Sequence, residues 1–294
     1  MNLTDRIYLS VHLLLTVLVC ARHERVQHWP AYVVWNLIVI AAIILLARKR
    51  GDGWSWEFAH DWLPLIFFTV TFEEISFLSL SIRGAWQNWY IIAAENWVFG
   101  VSPIEWMHAR ARDWLPEVLE FGYFAFYLFY PVIGGLLWRW RERAGYRGAF
   151  RGLTDRLSIG YAVCYTTYLL VPTQSPANRA GVQQIGSAHA GIFQRLVRLI
   201  QNHAGVHGNA FPSSHIMMAF VVLVFVYRFL PRWGPGLLAI VLLMCVGAVF
   251  DGYHWASDVV VGAAIGMIVG IDWKCGKSEH DRTAPERATN WPSI

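Results

Sequence analysis

The sequence predicts an all-α protein that crosses a membrane about eight times as a helical bundle. Of its 294 residues, 56% are hydrophobic and only 15% are charged, whereas soluble domains have about 25% charged residues. The hydrophobic residues gather in runs that approach the roughly 20 residues needed for a bilayer-spanning helix. Aromatic residues account for 15% of the chain and include 16 tryptophans, which concentrate at membrane interfaces. These observations favour a polytopic membrane protein over a soluble fold.

The eight predicted spans are the apolar runs of the chain. They are residues 7–21, 31–47, 62–80, 120–138, 157–172, 212–230, 235–250 and 255–273. Segment 88–107 is rich in Trp and Ile, but a Glu, a Gly and a Pro interrupt it, so it is predicted to lie in the membrane interface. We expect the first run to be retained, because Asp5 offsets Arg6 and no small-residue cleavage site follows its apolar core.

The chain is predicted to divide into three parts. Residues 1–50 form two amino-terminal transmembrane helices, residues 51–273 a membrane-embedded core, and residues 274–294 a polar cytoplasmic tail. Most of the 24 Lys and Arg residues fall in segments on the same side as the amino terminus. Because such residues concentrate on the cytoplasmic side, both termini are expected there. The other side faces the exterior, which is the periplasm if the membrane is a bacterial inner membrane.

Composition disfavours several classes of function. The net charge of +4 is small, and the arginines lie between apolar runs rather than in a stripe, which argues against a nucleic-acid partner. The four cysteines have no metal-type spacing and are interpreted as small core residues. His203 and His207 have a spacing used by metal ligands, but Gly205 between them disfavours a firm helix. No metal and no cofactor is expected.

Two histidines are each predicted to lie at the amino end of an apolar helix. His215 ends the run from Phe211, whose Pro and Ser residues are typical of a helix start. His254 precedes Asp258 by four residues at the start of the last apolar run, and residues i and i+4 share one face of a helix. The chain crosses the membrane twice between the histidines, so both are expected on the exterior side.

An anionic group is the expected ligand of this arrangement. Helix amino ends expose free N–H groups and a partial positive charge, which favour phosphate, and Ser213 and Ser214 add two hydroxyls. With one ring nitrogen held by Asp258, the other nitrogen of His254 can attack phosphorus and form a phosphohistidine. His215 can protonate the departing oxygen. The scheme requires no metal.

At these residues the chain resembles the type 2 phosphatidic acid phosphatase superfamily, whose members include the lipid phosphate phosphatases. The Pro-Ser-x-His signature is matched by residues 212–215, and the His-x-x-x-Asp end of another signature by His254 and Asp258. The resemblance implies a six-helix core with His254 as nucleophile, Asp258 as its orienting partner and His215 as general acid. It covers about residues 85–273 and is strong only from residue 170 onward.

The sequence departs from the phosphatase pattern at two places. Gly247 and Ala248 stand where a Ser-Arg pair is usual, and the first signature, with its Lys and its Arg-Pro pair, is absent in that form. The Pro-Thr-x-x-Pro element at 172–176 is instead similar to the branch that includes inositol phosphorylceramide synthase and sphingomyelin synthase. In that branch a phosphoryl group can pass to an alcohol rather than to water. Hydrolysis and transfer therefore both remain open.

The residues that neutralise the phosphoryl oxygens are expected in the outer loop before the sixth span, because charge stabilisation is normally the largest catalytic contribution. Arg179 is the first candidate, with Gln174 and Asn178 as hydrogen-bond donors. Arg195 and Arg198 are second, since they lie on an amphipathic stretch suited to the membrane surface.

Two classes of function remain open at this stage. The first is an enzyme that cleaves or transfers the phosphate group of a membrane lipid, and the second is a non-catalytic lipid transporter or binding protein. Glu73 and Glu74 bear on the choice, because ionisable residues inside an apolar span are costly and usually functional. They are predicted either to bind a ligand or to tie helices together. The partners expected are the bilayer and a lipid phosphate, and the oligomeric state is open.

Overall fold

The computed structural model describes residues 1–146, 148–178, 191–204 and 208–271, and of residues 178 and 201–204 it describes the backbone alone. Within these ranges the chain is helical and has no strand, as the sequence predicts. The α-helices are α1 (Leu3–Ala21), α2 (Trp29–Lys49), α3 (Trp54–Arg83), α4 (Trp89–Phe99), α5 (Pro103–His108), α6 (Leu115–Phe129), α7 (Gly135–Arg139), α8 (Ala149–Leu170), α9 (Ile192–Ala204), α10 (Ser214–Phe229), α11 (Gly234–Phe250) and α12 (Ala256–Gly270).

Each of the eight predicted spans corresponds to helix, and the protein is an integral membrane protein. Among the described residues, five helical stretches are long and apolar enough to cross a membrane by length and composition: Leu3–Ala21, Trp29–Lys49, Trp54–Arg83, Leu115–Arg139 and Pro231–Phe250. Helices α10 and α12 are apolar but shorter, with 16 and 15 residues. Helix α8 has 22 residues and carries charged side chains in its first half.

A proline widens the fourth span without breaking it. Pro131 has no N–H to continue an α-helical ladder, and residues Tyr130–Gly134 form a π-helical turn that joins α6 to α7. Tyr130 is fully buried in this turn, and its hydroxyl lies 3.0 Å from the hydroxyl of Thr154 on α8. The widened turn therefore stays attached to the bundle.

The Trp-rich segment at 88–107 forms two short helices, α4 and α5. They are separated at Gly100, which adopts a left-handed conformation with φ of 67°. Trp89 and Trp97 are 73% and 87% exposed, while Ile91 on the opposite face is 2% exposed. This contrast fits a helix that lies along the bundle with its tryptophans directed away from the protein.

A buried polar network ties the two amino-terminal helices to α3. Asn36 of α2 donates through Nδ2 to Glu74 Oε1 at 2.6 Å, and its Oδ1 lies 2.5 Å from His12 Nδ1. Nε2 of His12 lies 3.2 Å from the hydroxyl of Thr71. All four side chains are 5% exposed or less. For Glu74 these contacts favour the second predicted role, a tie between helices.

Helices α10 and α12 approach closely because α12 presents glycines to α10. A Cβ atom on Gly262 would meet the carbonyl oxygen of Ser213 at 2.5 Å, and one on Gly266 would overlap the carbonyl oxygen of Met217. The close approach allows the Ser213 N–H to donate to the Asp258 carbonyl at 3.1 Å. The first turns of the two helices that follow the predicted motifs are thereby joined.

Gly266→Ala is expected to lower the free energy of unfolding by about 1–3 kcal/mol, because the added methyl group overlaps a backbone oxygen and forces the helices apart. Gly236→Ala in α11 is the matched control, since a Cβ atom there meets nothing within 4 Å and Ala is the better helix former. Denaturant unfolding of the detergent-solubilised protein measures both variants. Equal stability would contradict the close packing.

Candidate active site

The two predicted histidines lie side by side at one end of the helical bundle, where α10 and α12 begin. The centroids of the His215 and His254 rings are 6.0 Å apart. Since a hydrogen bond spans about 3 Å, one bound group can contact both imidazoles. Each histidine stands at a helix amino end: Ser213 is the residue that caps α10, and His254 lies two residues before α12.

His254 precedes α12, which corrects the expectation that it shares a helical face with Asp258. The helix begins at Ala256, after Trp255 in an extended conformation. Oδ2 of Asp258 accepts a hydrogen bond from the Trp255 N–H at 2.9 Å and so caps the helix. The same oxygen lies 3.5 Å from His254 Nδ1. The capping turn, rather than a helical face, brings the two side chains together.

The nearest partner of His254 Nδ1 is a backbone carbonyl. Nδ1 lies 3.0 Å from the carbonyl oxygen of Ala210, closer than the carboxylate of Asp258. A carbonyl oxygen can only accept, so this contact places the proton on Nδ1 and leaves Nε2 to face a ligand. His254 is 6% exposed and Asp258 is fully buried. The imidazole is thus held in one orientation and one tautomer.

The Ala210 carbonyl is itself positioned by contacts that the sequence analysis missed. Asn209 has a left-handed backbone with φ of 63°. Its side chain accepts from the Ser79 hydroxyl at 2.9 Å and donates to the Ser76 hydroxyl at 3.0 Å. The Ala210 N–H donates to the Thr173 carbonyl at 3.2 Å. Helix α3 and the segment after α8 therefore fix the carbonyl from two sides.

The Pro-Thr-x-x-Pro element braces the site through its backbone. The Gln174 N–H donates to Asn88 Oδ1 at 2.8 Å, and the Gln174 carbonyl accepts from Trp255 Nε1 at 2.9 Å. The Ala177 N–H donates to the Gly252 carbonyl at 2.9 Å. The element connects the segment before α4 to the loop that carries His254. Gln174 was predicted to donate a hydrogen bond to the ligand, and the contacts described for it are made by its backbone N–H and carbonyl groups.

Glu95 of α4 caps α12 from outside the motif. Its Oε1 accepts from the Ser257 N–H at 3.1 Å, and the side chain is 5% exposed. Burial raises the pKa of the Glu95 carboxyl, while hydrogen bonds from the backbone of Ser257 and Ala256 act in the opposite direction. A carboxylate at a helix amino end is stabilised by the helix dipole. The sequence alone shows Glu95 only as a charged residue that interrupts an apolar run.

Two further carboxylates flank the loop before His254. Tyr253 donates its hydroxyl to Glu120 Oε1 at 2.6 Å, and Glu120 is 2% exposed. Burial raises the pKa of Asp251, the negative charge of Glu120 raises it further, and Arg198 lowers it. Arg198, one of the second-choice phosphate ligands, therefore lies within electrostatic reach of protein carboxylates.

The other residues predicted to bind phosphate differ in where they lie and in what they contact. The Ser213 hydroxyl accepts from the Ile216 N–H at 3.3 Å and acts as the helix cap, and Ser214 is 2% exposed. Arg179 and the side chain of Asn178 lie outside the described residues, as do His207, the side chain of His203 and the predicted tail. Arg195 lies on α9, whose amino end is held by Glu117 through the Phe193 N–H at 2.8 Å.

An apolar cavity of about 220 Å³, here called the lateral cavity, reaches His215 from the side of the bundle. Glu73 and Ser214 line it, and Nδ1 of His215 is buried with no hydrogen bond to the described part of the chain. The wall is mostly apolar and includes six aromatic side chains from α3, α6, the π-helical turn and α8: Phe68, Phe72, Phe126, Tyr127, Tyr130 and Tyr161. The lateral cavity therefore places an apolar space directly beside the His215 imidazole.

Comparison with known proteins agrees with the carboxy-terminal motifs. The family model of the PAP2 superfamily matches residues 168–275, a range that contains His215, His254 and Asp258. No curated protein and no solved structure matches the chain. The superfamily predicted from the motifs is confirmed, while its synthase-like branch stays a prediction.

Substitutions at Asn209 are expected to separate the contributions of its side chain and of its backbone conformation to the stability of the protein. Asn209→Gly keeps the left-handed backbone and loses both hydrogen bonds to α3, at an expected cost of about 1–3 kcal/mol. Asn209→Ala is expected to lower the free energy of unfolding by about 1–2 kcal/mol more than Asn209→Gly does, because Ala is strained in the left-handed conformation. Chemical unfolding of both variants beside the parent protein gives the two differences. An Ala variant more stable than the Gly variant would be inconsistent with this account.

Proposed function

We propose, from the match of residues 168–275 to the family model of the PAP2 superfamily, that the protein is a metal-independent membrane phosphoesterase acting on a lipid phosphate. The observation that carries the proposal is the juxtaposition of His215 and His254, with ring centroids 6.0 Å apart. The fixed orientation of His254 by the Ala210 carbonyl and Asp258 adds support, because an activated nucleophile needs a defined tautomer.

In the proposed reaction, Nε2 of His254 attacks phosphorus and the bond to the leaving oxygen breaks. The imidazole becomes positively charged, and Asp258, 3.5 Å from Nδ1, stabilises that charge. His215 gives a proton to the leaving oxygen, so that the lipid departs as an alcohol. Water then attacks the phosphohistidine, His215 takes a proton back, and phosphate leaves with His254 restored.

The lateral cavity supports a lipid as substrate. Its wall is mostly apolar, with six aromatic side chains, and it leads from the side of the bundle to His215. A water-soluble phosphate ester would gain little from such a wall, whereas an acyl or prenyl chain buries apolar surface there at about 25 cal/mol per Å². The acyl or prenyl chain of the lipid would lie between α3 and α6, while the phosphate group of the same lipid reaches the two histidines.

His254→Ala is expected to reduce phosphate release from a dispersed lipid phosphate by at least about 100-fold, because it removes the nucleophile. His215→Ala is expected to cost about 100- to 10,000-fold as the loss of a general acid. His23→Ala is the matched control, since His23 is exposed and its Nδ1 lies 3.1 Å from the Cys20 carbonyl. Activity is expected to persist in EDTA, and vanadate is expected to inhibit it. Undiminished turnover by the His254 variant would remove the mechanism.

Transfer to an alcohol is the second candidate, favoured by the Pro-Thr-x-x-Pro element at 172–176. In this reaction an acceptor hydroxyl replaces water in the second step. An inositol phosphorylceramide synthase-like phosphotransferase would in this way move a phosphoalcohol headgroup to a lipid or polyol acceptor. Adding inositol or another polyol to the assay is expected to yield a phosphorylated alcohol at the expense of free phosphate. Mass spectrometry of the products from a panel of lipid phosphates distinguishes the two reactions. Unchanged phosphate release with every polyol would leave hydrolysis as the activity.

The non-catalytic alternative, a lipid transporter or binding protein, rests on carboxylates inside the spans. Glu74 accepts a hydrogen bond from Asn36 at 2.6 Å within the network that joins α2 to α3. This contact argues against Glu74 as a substrate-binding residue of a transporter. Binding of a lipid phosphate with no turnover in the parent protein would favour this alternative over both reactions.

A further inference from the structure

Glu73 lies inside a membrane-spanning helix, α3, and has no role in the proposed reaction. Ionisable side chains in such a position are costly and usually functional. Glu74, the next residue, points about 100° away around the helix and accepts from Asn36 at 2.6 Å. Glu73 instead lines the lateral cavity. The role of tying helices together is therefore filled by Glu74, and the role of binding a ligand is left for Glu73.

The Glu73 carboxylate makes no hydrogen bond and no ion pair with the part of the chain that the structure describes. Thr69 lines the same cavity one turn earlier, but its hydroxyl donates to the Leu65 carbonyl at 3.4 Å and is engaged within its own helix. A carboxylate beside an apolar wall is costly unless a donor pairs with it. Glu73 is therefore available as a hydrogen-bond acceptor for a ligand in the lateral cavity.

Glu73 lies at the end of the lateral cavity that is nearest the catalytic histidines. The cavity follows α3 for about two turns. Near its far end, the Phe68 ring packs against Tyr130 of the π-helical turn, with centroids 5.9 Å apart. One turn later, the Phe72 ring packs against His215, with centroids 6.1 Å apart. Because Glu73 directly follows Phe72, its carboxylate lies at about the level of the His215 imidazole, and the rest of the cavity is left for an apolar tail.

The charge of Glu73 restricts what can lie beside it once a phosphate group is at the histidines. Two negative charges in an apolar cavity repel each other strongly, because little water screens them. The group that meets Glu73 must therefore be a hydrogen-bond donor that the lipid carries close to its phosphate ester. A lipid with acceptors only leaves the carboxylate unpaired, and a site built around a buried polar group rejects a ligand that lacks the matching group.

We propose that Glu73 selects lipid phosphates whose backbone carries a hydroxyl or an ammonium group next to the phosphate ester. The inference rests on the proposed function and adds to it the class of lipid. The tail of the lipid lies along the apolar wall of the lateral cavity, and the backbone donor gives its hydrogen bond to the Glu73 carboxylate. Glu73 determines specificity and takes no part in bond making at phosphorus.

Two matched lipids test the proposal: a 1-acyl lysophosphatidate, which has a free hydroxyl beside the phosphate-bearing carbon, and its deoxy analogue, in which hydrogen replaces that hydroxyl. The parent protein is expected to have a kcat/KM about 10-fold higher for the hydroxyl lipid, the value of one hydrogen bond to a charged group. Glu73→Met is expected to abolish this preference, since Met has nearly the length of Glu but no oxygen. Glu73→Gln is expected to keep part of it. Thr69→Val is the matched control and is expected to keep all of it, because the Thr69 hydroxyl is already engaged.

Binding of the same two lipids to the full-length His254→Ala protein, read by native mass spectrometry, separates the inference from the reaction. A preference for the hydroxyl lipid that Glu73→Met removes in this background supports the role of Glu73, and absence of phosphate release by the parent protein would then reject the reaction alone. Phosphate release with equal preference in the parent and in folded Glu73→Met overturns the role of Glu73 and leaves the reaction standing. If Glu73→Met does not fold, an undiminished preference in Glu73→Gln has the same meaning.

A third lipid, with an ammonium group in place of the hydroxyl, distinguishes the two donors. Tighter binding of the ammonium lipid than of the hydroxyl lipid, lost in Glu73→Met, assigns a cation as the partner of Glu73. Tighter binding of the hydroxyl lipid assigns a neutral donor. Equal binding of all three lipids by the parent protein overturns the proposal.

Discussion

The contact between His254 Nδ1 and the Ala210 carbonyl is the interaction on which the candidate active site depends. It joins the loop before α12 to the loop before α10 and, together with the hydrogen bond from the Ser213 N–H to the Asp258 carbonyl, keeps the two histidines side by side. A carbonyl oxygen also selects the tautomer, since it cannot donate. A carboxylate alone would fix the ring less firmly, because it can exchange its protonation state with the imidazole. The backbone therefore supplies the orientation, and Asp258 supplies the negative charge.

Asp258 performs two tasks at the start of α12. As a cap it satisfies the Trp255 N–H, and as a buried charge it lies near His254. An isolated carboxylate at full burial would be costly, but the free N–H groups and dipole of the helix amino end offset part of that cost. Glu95 adds a second carboxylate to the same helix end from α4. The start of α12 is thus held by two acidic side chains from different parts of the chain.

The sequence predicted the elements of the site better than their contacts. Apolar runs located the helices because a bilayer demands a minimum length of apolar helix, and residue spacing singled out His215, His254 and Asp258, which lie close together in the fold. The expected helical face shared by His254 and Asp258 was wrong, because the helix begins one capping turn later. Contacts through the Ala210 carbonyl could not be predicted, since every residue has a carbonyl and only the tertiary fold selects one. Asn209 offered a signal, as Asn tolerates a left-handed backbone better than most residues.

Helix α3 connects these parts of the molecule, because it is long and rigid enough to contact several of them. Its 30 residues extend about 45 Å. Within that length His60, 3.1 Å from Asp5 of α1, lies about 30 Å from Ser79, which contacts Asn209. Between them, the hydrogen bond from Asn36 to Glu74 fixes the rotation of α3 about its axis. Ser76 and Ser79 follow within about one and a half turns, so the direction of their hydroxyls depends on that bond. The amino-terminal helices therefore help to aim the hydrogen bonds that hold the Ala210 carbonyl.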